Sequence, residues 1–200
     1  SGGSGELWTQ ACLFRGLIAY YEATGKAEVI KALERAVQLT IRSYGPGKLS
    51  DGQHSLMFAD VTERLYDLTG NSIYRDYGLS LCRAMAQSVR DDARDMNLTN
   101  LLDPGRLHHG HGATTCETFR LPVWAACISG APVWLAAYDQ AFTKALRQVS
   151  PTGAPISSEA MQGRTTDPDT AAYECCTQKE WMTSVLSAMQ KIGDTSFADH

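Results

Sequence analysis

The stretch LWTQACLFRGLIAYYEATGKAEVIKALERAVQLTIR, residues 7–42, decides the fold that the sequence predicts. Apolar residues recur every three or four positions from Leu7 to Tyr21 and again over 27–42, which is the spacing of amphipathic helices. Thr24 and Gly25 interrupt the pattern, and a glycine directly after a helix is a common C-terminal cap. The stretch therefore predicts a helical hairpin with a short turn.

The hairpin pattern returns three times. Helices are predicted over 55–68 and 73–89 around Gly70, over 116–128 and 133–149 around Gly130, and from about Cys176 to Gly193. We expect the last hairpin to be incomplete and residues 6–200 to be one segment of a larger domain. The long loops between hairpins favour a closed ring over a regular solenoid. The predicted fold is all-α, made of helical hairpins of an incomplete (α/α)6 toroid, with a short extended piece at 154–157.

Composition excludes several classes of function. The 44% of hydrophobic residues suffice for a core, and 18 basic against 22 acidic residues give a charge of -4, which argues against nucleic-acid binding. No apolar run reaches the roughly 20 residues that span a bilayer, so no membrane partner is expected. Residues 1–5, SGGSG, read as a linker or an expression scar and not as a signal peptide. We expect a cytoplasmic protein that associates with a second copy or with the rest of its barrel.

Six cysteines are too few for a disulfide scaffold in a chain of this length, which favours a reducing compartment. Four of them lie among apolar residues at helical spacing, where cysteine usually behaves as a small hydrophobic residue. These four are Cys12, Cys82, Cys116 and Cys127. The adjacent Cys175 and Cys176 are different, because neighbouring thiolates suit a soft metal ion better than they suit each other.

Three histidines precede a predicted helix in the segment LHHGHG, residues 107–112. Histidine is the commonest metal ligand and a frequent general base. His111, nearest the helix start, is the candidate catalytic residue, and His109 is a candidate substrate-binding residue. A solvated turn is the alternative interpretation of the same segment.

Two further candidates lie near the last helix. Glu159 is in a long loop, where functional residues are often found, although a solvated glutamate is the ordinary case. Glu174 and Cys176 have an E-x-C spacing at a helix start, where both side chains could reach one zinc ion and the helix terminus favours a thiolate. The alternative here is a buried cysteine pair in the first turn.

Taken in order, these segments resemble the β-L-arabinofuranosidases of glycoside hydrolase family 127. The resemblance covers the chain from Glu6 onward, and its most restrictive part is a loop glutamate about fifteen residues before an E-x-C that opens a helix. The segments that carry it are ELW, GLIAYYEATGKAEVIKALERA, GQHSLMFADVTERLYDLTGNSIYRDYG, GHG, SSEAM, AAYECC and IGDTSFAD.

The resemblance implies a retaining glycosidase with an (α/α)6 barrel, a carbohydrate substrate and a bound zinc ion. It makes Glu159 the general acid/base and Glu174 and Cys176 zinc ligands, together with two later cysteines. The family's nucleophile is a zinc-bound cysteine, which is expected beyond His200. Family histidines near the sugar map to His111 and His54. At Cys12 the sequence departs from the family, which has a histidine there.

A second register of the resemblance stays open. In it, Cys175 is the nucleophile and Cys116 is the earlier zinc cysteine, but Thr114 then replaces the zinc-binding glutamate and Glu159 loses its match. Two other functions also remain open on the sequence. One is a different six-hairpin sugar enzyme, an unsaturated glycuronyl hydrolase or a polysaccharide lyase, and the other is a non-catalytic helical scaffold that binds glycans.

Overall fold

The computed structural model describes residues 5–45, 54–87, 94–166, 169, 171–193 and 195–196. Every regular element in these ranges is helical, which confirms the all-α class. Short 3₁₀ helices lie at His54–Met57 and Arg94–Met96. The α-helices are α1 (Gly5–Thr24), α2 (Ala27–Ser43), α3 (Phe58–Thr69), α4 (Ser72–Ala86), α5 (Leu98–Leu102), α6 (Gly112–Thr118), α7 (Arg120–Ser129), α8 (Pro132–Leu146) and α9 (Cys175–Ile192).

Four glycines end helices as the sequence predicts. Gly25, Gly70, Gly130 and Gly193 all have φ between 65° and 67°. This left-handed conformation costs a residue with a Cβ atom about 1 kcal/mol or more. Each glycine amide also donates to the carbonyl four residues earlier, so each helix ends with its last turn closed.

In the second unit, two predicted helices differ from the structure for identifiable reasons. The single helix predicted over 116–128 is divided at Phe119 into α6 and α7. Pro122 explains the break, because its ring would clash with the carbonyl of Thr118 in a continuous helix, whereas the first turn of α7 tolerates it. The helix predicted to reach Val149 ends at Leu146, and Val149 instead pairs with Pro155 in an isolated β-bridge. Of the two bridge residues, Pro155 lies in the piece 154–157 that was expected to be extended.

The chain divides into two compact units, one up to Ala84 and one from Met85 onward. In the first unit α1 packs against α2, α3 and the 3₁₀ helix that precedes α3. Phe58, fully buried, contacts Phe14 and Tyr77 edge to face at centroid distances of 6.0 and 6.1 Å. Arg15 of α1 also forms an ion pair with Asp60 of α3.

In the second unit α9 packs against α6 and α7, and α8 packs against α5 and α7. The rings of Phe119, Phe142 and Trp181 pack against one another, tilted or edge to face, at centroid distances of 5.1 to 5.9 Å. Burial of each ring contributes about 1.5–3 kcal/mol to the free energy of folding. Ser184 of α9 donates to the carbonyl of Cys116 of α6 at 2.6 Å. This core fixes the start of α6 beside the start of α9.

The cysteine prediction is half right. Cys82 and Cys116 are buried, whereas Cys12 and Cys127 are exposed, so the apolar spacing around them does not place them in the core. Within the described ranges, no helix combines the length and the apolar character needed to cross a membrane.

Candidate active site

Two loops of the second unit are joined by backbone hydrogen bonds. The histidine loop, residues 107–111, leads into α6, and the glutamate loop, residues 157–163, contains Glu159. Gly112 donates to the carbonyl of Glu159 at 2.8 Å, and Met161 donates to the carbonyl of Gly110 at 2.9 Å. An antiparallel bridge pairs His111 with Ala160. The two loops are therefore held in one register by main-chain bonds.

Asp95 anchors the histidine loop through two backbone hydrogen bonds. Its Oδ2 atom accepts the backbone N–H groups of His109, at 2.5 Å, and of Gly110. Only 3% of Asp95 is exposed. The sequence suggests a solvated helix end for the charged run 90–95, and for Asp95 this is wrong. Its role was missed because a charged run gives no sign of a distant backbone partner.

Gln148 holds His108, the residue just before those that Asp95 binds. Its side-chain oxygen accepts the backbone N–H of His108 at 2.8 Å, and its side-chain nitrogen donates to the carbonyl of His108 at 2.9 Å. The His108 ring is buried and lies 3.2 Å from the carbonyl oxygen of Ala141 through Nε2. His108 is thus a core residue and not part of the open site.

His111 is the N-cap of α6. Its Nδ1 atom accepts the backbone N–H of Thr114 at 3.3 Å and lies 3.0 Å from the Thr114 hydroxyl. The cap satisfies one of the backbone donors that a helix start leaves free. It also turns the opposite nitrogen, Nε2, toward the carboxylates of the glutamate loop and α9.

Glu174 is the N-cap residue of α9, although its side chain makes no capping bond. Its Oε2 atom accepts the Thr177 hydroxyl at 2.6 Å, and its backbone N–H donates to Ser157 at 3.0 Å. The other oxygen, Oε1, lies 3.9 Å from Nε2 of His111. A carboxylate at this position is favoured by the partial positive charge of the helix start.

Glu159 completes a group that we call the His–Glu–Glu cluster: His111, Glu159 and Glu174. Oε2 of Glu159 lies 3.3 Å from Nε2 of His111, and the three donor atoms all lie within 4.8 Å of one another. The Glu159 side chain is 81% exposed and Glu174 only 18%. The structure thus brings together three residues that the sequence singled out in three separate segments.

The other sequence candidates lie outside this cluster. Cys175 and Cys176 are exposed in the first turn of α9, so the buried-pair alternative is wrong, but neither thiol joins the cluster. The His109 ring packs against Gly163, where an added Cβ would lie 2.5 Å from it. His54 lies in the first unit, and its side chain is outside the described residues.

The second register of the resemblance uses Cys116 as a zinc ligand. Cys116 is fully buried in α6, and burial raises the pKa of its thiol well above the ordinary value. A buried thiol of this kind is a poor source of the thiolate that zinc requires. The surroundings of Cys116 therefore favour the register in which Glu174 and Cys176 match the E-x-C.

A buried ion network links three helices of the second unit. Arg120 of α7 contacts Glu180 of α9 at 3.0 Å and Glu117 of α6 at 3.4 Å. Removing one member of such a group typically costs about 3–5 kcal/mol, because it leaves an uncompensated charge.

No protein-family model matches the chain, and no curated protein matches it either.

Proposed function

We propose that this chain carries part of the active site of a retaining glycoside hydrolase of the β-L-arabinofuranosidase type, with Glu159 as the general acid/base. The observation that carries the proposal is the meeting of Glu159 and Glu174 at one histidine, although fifteen residues separate them in the sequence. The proposal includes the assignment of the helical hairpins to an (α/α)6 toroid, whose loops would build the site at one end.

The retaining course of the reaction is what the resemblance implies. A retaining glycosidase needs a nucleophile and an acid that later acts as base. Here a cysteine thiolate would take the place of the usual carboxylate nucleophile.

Glu159 is exposed and lies beside Nε2 of His111, so its carboxyl group can reach a bound sugar. A protonated Glu159 would give its proton to the glycosidic oxygen while a thiolate sulfur bonds to the anomeric carbon and the bond to the leaving oxygen breaks. Glu159 would then take a proton from water as the water oxygen displaces the sulfur. In the register that makes Glu159 the acid/base, the resemblance places this thiolate beyond His200. Cys175, exposed at the start of α9, is the nucleophile only in the second register.

The zinc ion that the resemblance implies would be held by Glu174, Cys176 and two later cysteines. A structural or nucleophile-holding thiolate site needs about four ligands. In the described parts of the chain, Cys176 belongs to no group of three or more candidate donors. No step of the proposed reaction is therefore assigned to zinc.

Hydrolysis of an aryl β-L-arabinofuranoside tests the proposal, with the product configuration followed by NMR. We expect retention of configuration, and a loss of roughly 10²–10⁴-fold in turnover for Glu159→Gln. Glu28→Gln is the matched control, because Glu28 is an exposed glutamate of α2. Unchanged turnover in Glu159→Gln would contradict the acid/base assignment.

Two further outcomes separate the alternatives. Activity that survives cysteine alkylation would favour the other six-hairpin sugar enzymes that use His111: hydrolysis would indicate an unsaturated glycuronyl hydrolase, and cleavage by elimination would indicate a polysaccharide lyase. Glycan binding without turnover would favour the non-catalytic scaffold.

A further inference from the structure

The two ring nitrogens of His111 face different kinds of partner. Nδ1 faces the backbone N–H of Thr114, which can only donate, and Nε2 faces a carboxylate oxygen of Glu159, which can accept. We propose that His111 is a positioning residue: it donates its Nε2 hydrogen to Oε2 of Glu159 and leaves Oε1 as the oxygen that exchanges the proton with the sugar. This role rests on the proposed acid/base function of Glu159.

The start of α6 fixes the tautomer of His111. Nδ1 accepts the Thr114 backbone N–H at 3.3 Å, the bond by which His111 caps the helix. The Thr114 hydroxyl lies 3.0 Å from the same nitrogen and can donate to it as well, because a hydroxyl rotates to suit its partner. A backbone N–H cannot become an acceptor, so the cap requires a bare Nδ1. The neutral ring therefore presents an N–H donor, and not a lone pair, to the glutamate loop.

Glu159 is the carboxylate nearest to that donor. Its Oε2 lies 3.3 Å from Nε2 of His111, whereas Oε1 of Glu174 lies at 3.9 Å, beyond hydrogen-bond distance. The shorter separation slightly exceeds the ordinary range of about 2.7–3.2 Å. Hydrogen bonds of catalytic groups are often long before the substrate binds and shorten in the complex. Glu174 has its own donor, the Thr177 hydroxyl, on Oε2.

The backbone on both sides of this contact is fixed, so the side chain of Glu159 is the part that needs a support. His111 pairs with Ala160 in an antiparallel bridge, and Gly112 donates to the carbonyl of Glu159 at 2.8 Å. The Glu159 side chain is mostly exposed and can rotate about three bonds. A catalytic group misplaced by about 1 Å can cost about 10²-fold in rate. A donor on a helix cap removes that rotational freedom.

One hydrogen bond to Oε2 serves both protonation states of Glu159. In the carboxylate, Oε2 accepts as one of two equivalent oxygens. When Oε1 carries the proton, Oε2 is a carbonyl oxygen and still accepts. The proton can therefore pass from Oε1 to the glycosidic oxygen, and a proton from water can return to Oε1, while the bond to His111 stays in place. His111 itself neither gains nor loses a proton in either step.

Nitrogen NMR of the ¹⁵N-labelled chain tests the tautomer and the bond without a sugar. At about pH 8, where an ordinary histidine is neutral, Nε2 of His111 should carry the hydrogen and Nδ1 should be bare. His111→Asn identifies the signals. Glu159→Ala should shift the Nε2 resonance, whereas Glu28→Ala, at an exposed glutamate of α2, should not. Thr114→Val removes the hydroxyl but keeps the backbone N–H, so the tautomer should persist.

Kinetics on the aryl β-L-arabinofuranoside separate positioning from a structural role. Asparagine is a strong N-cap, so His111→Asn keeps the start of α6, and circular dichroism checks its helix content. We expect kcat to fall about 10–100-fold with KM unchanged, because substrate binding does not need the ordered Glu159. In a Glu159→Ala background the same substitution should have no further effect, because His111 acts through Glu159.

Three results would overturn the proposal. They are a hydrogen on Nδ1 of His111, an Nε2 resonance that does not respond to Glu159→Ala, and an equal loss of kcat from His111→Asn with and without Glu159. Failure of the hydrolase proposal would instead appear as absent or Glu159-independent turnover, with the tautomer and the Glu159-dependent Nε2 shift intact.

Discussion

The backbone N–H of Gly112 donates a 2.8 Å hydrogen bond to the carbonyl oxygen of Glu159. This bond joins the first residue of α6 to the glutamate loop, and it brings the side chain of Glu159 beside that of His111. Main-chain bonds set this arrangement, so a substitution at the Glu159 side chain leaves the loop register in place. Glu159→Gln is for this reason a clean test of chemistry.

Gly112 is predicted to be intolerant of any larger residue. A Cβ at this position would lie 2.1 Å from the Ser157 hydroxyl and 2.6 Å from that of Thr177. Gly112→Ala should lower the free energy of unfolding by about 1–3 kcal/mol, the usual cost of overpacking. It should also displace Glu174, whose Oε2 accepts the Thr177 hydroxyl. Urea unfolding measures the loss of stability.

Gly16→Ala is the matched control. Gly16 also lies within a helix, α1, but a Cβ there meets nothing within 4 Å. Alanine should therefore stabilise the chain by about 0.5–1 kcal/mol. If Gly112→Ala were as stable as the parent chain, the close approach of α6 to Ser157 and Thr177 would be refuted.

Asp95 is predicted to control the order of the histidine loop. Asp95→Ala removes the acceptor of two backbone N–H groups and should cost about 1–3 kcal/mol for the buried donors left without it. Hydrogen exchange at the amides of His109 and Gly110 should accelerate. Asp95→Asn keeps one acceptor oxygen, so its effect should be smaller. Equal exchange in all three proteins would contradict the anchoring role.

The contrast between Gly130 and Asp95 shows what the sequence can predict. A glycine after an apolar helical run is a local signal, and the turn at Gly130 has the expected left-handed conformation. The burial of Asp95 depends on backbone donors fourteen and fifteen residues further along the chain. Charge near a helix end predicts exposure unless that long-range contact is known.

The candidate site also has a part that the sequence predicted and a part that it did not. The resemblance drew attention to His111, Glu159 and Glu174, and these three residues do meet. It gave no indication that Thr114 orients His111 or that Thr177 orients Glu174. A threonine in a first helical turn is ordinary in any sequence. The nitrogen and oxygen character of the cluster also follows only from the fold.

The six cysteines should fall into two classes of reactivity. Burial raises the pKa of Cys82 to about 12 and that of Cys116 further, so both stay protonated and shielded at neutral pH. The exposed thiols are those of Cys12, Cys127, Cys175 and Cys176. An aromatic disulfide reagent should label four thiols in the folded chain and two more after denaturation. Cys175→Ser/Cys176→Ser should lower the first number by two. Rapid labelling of all six would contradict the burial of Cys82 and Cys116.

His108 is predicted to make stability depend on pH. Burial lowers its pKa to about 4 in the folded chain, from an ordinary value of 6.5, and the hydrogen bond to Ala141 opposes this only in part. Between these values the unfolded chain binds a proton and the folded chain does not. The free energy of unfolding should therefore fall as pH decreases from 6.5 toward 4, by up to about 1.4 kcal/mol for each pH unit.

Urea unfolding at several pH values, with His108→Gln beside the parent chain, measures this contribution. Glutamine does not titrate, and its amide nitrogen can still donate to the Ala141 carbonyl. The variant should therefore lose less stability over this pH range than the parent chain, while carboxylates contribute equally to both. If the two proteins lost stability in parallel, the acid sensitivity would belong to other groups. The pKa of His108 would then not be lowered in the folded chain.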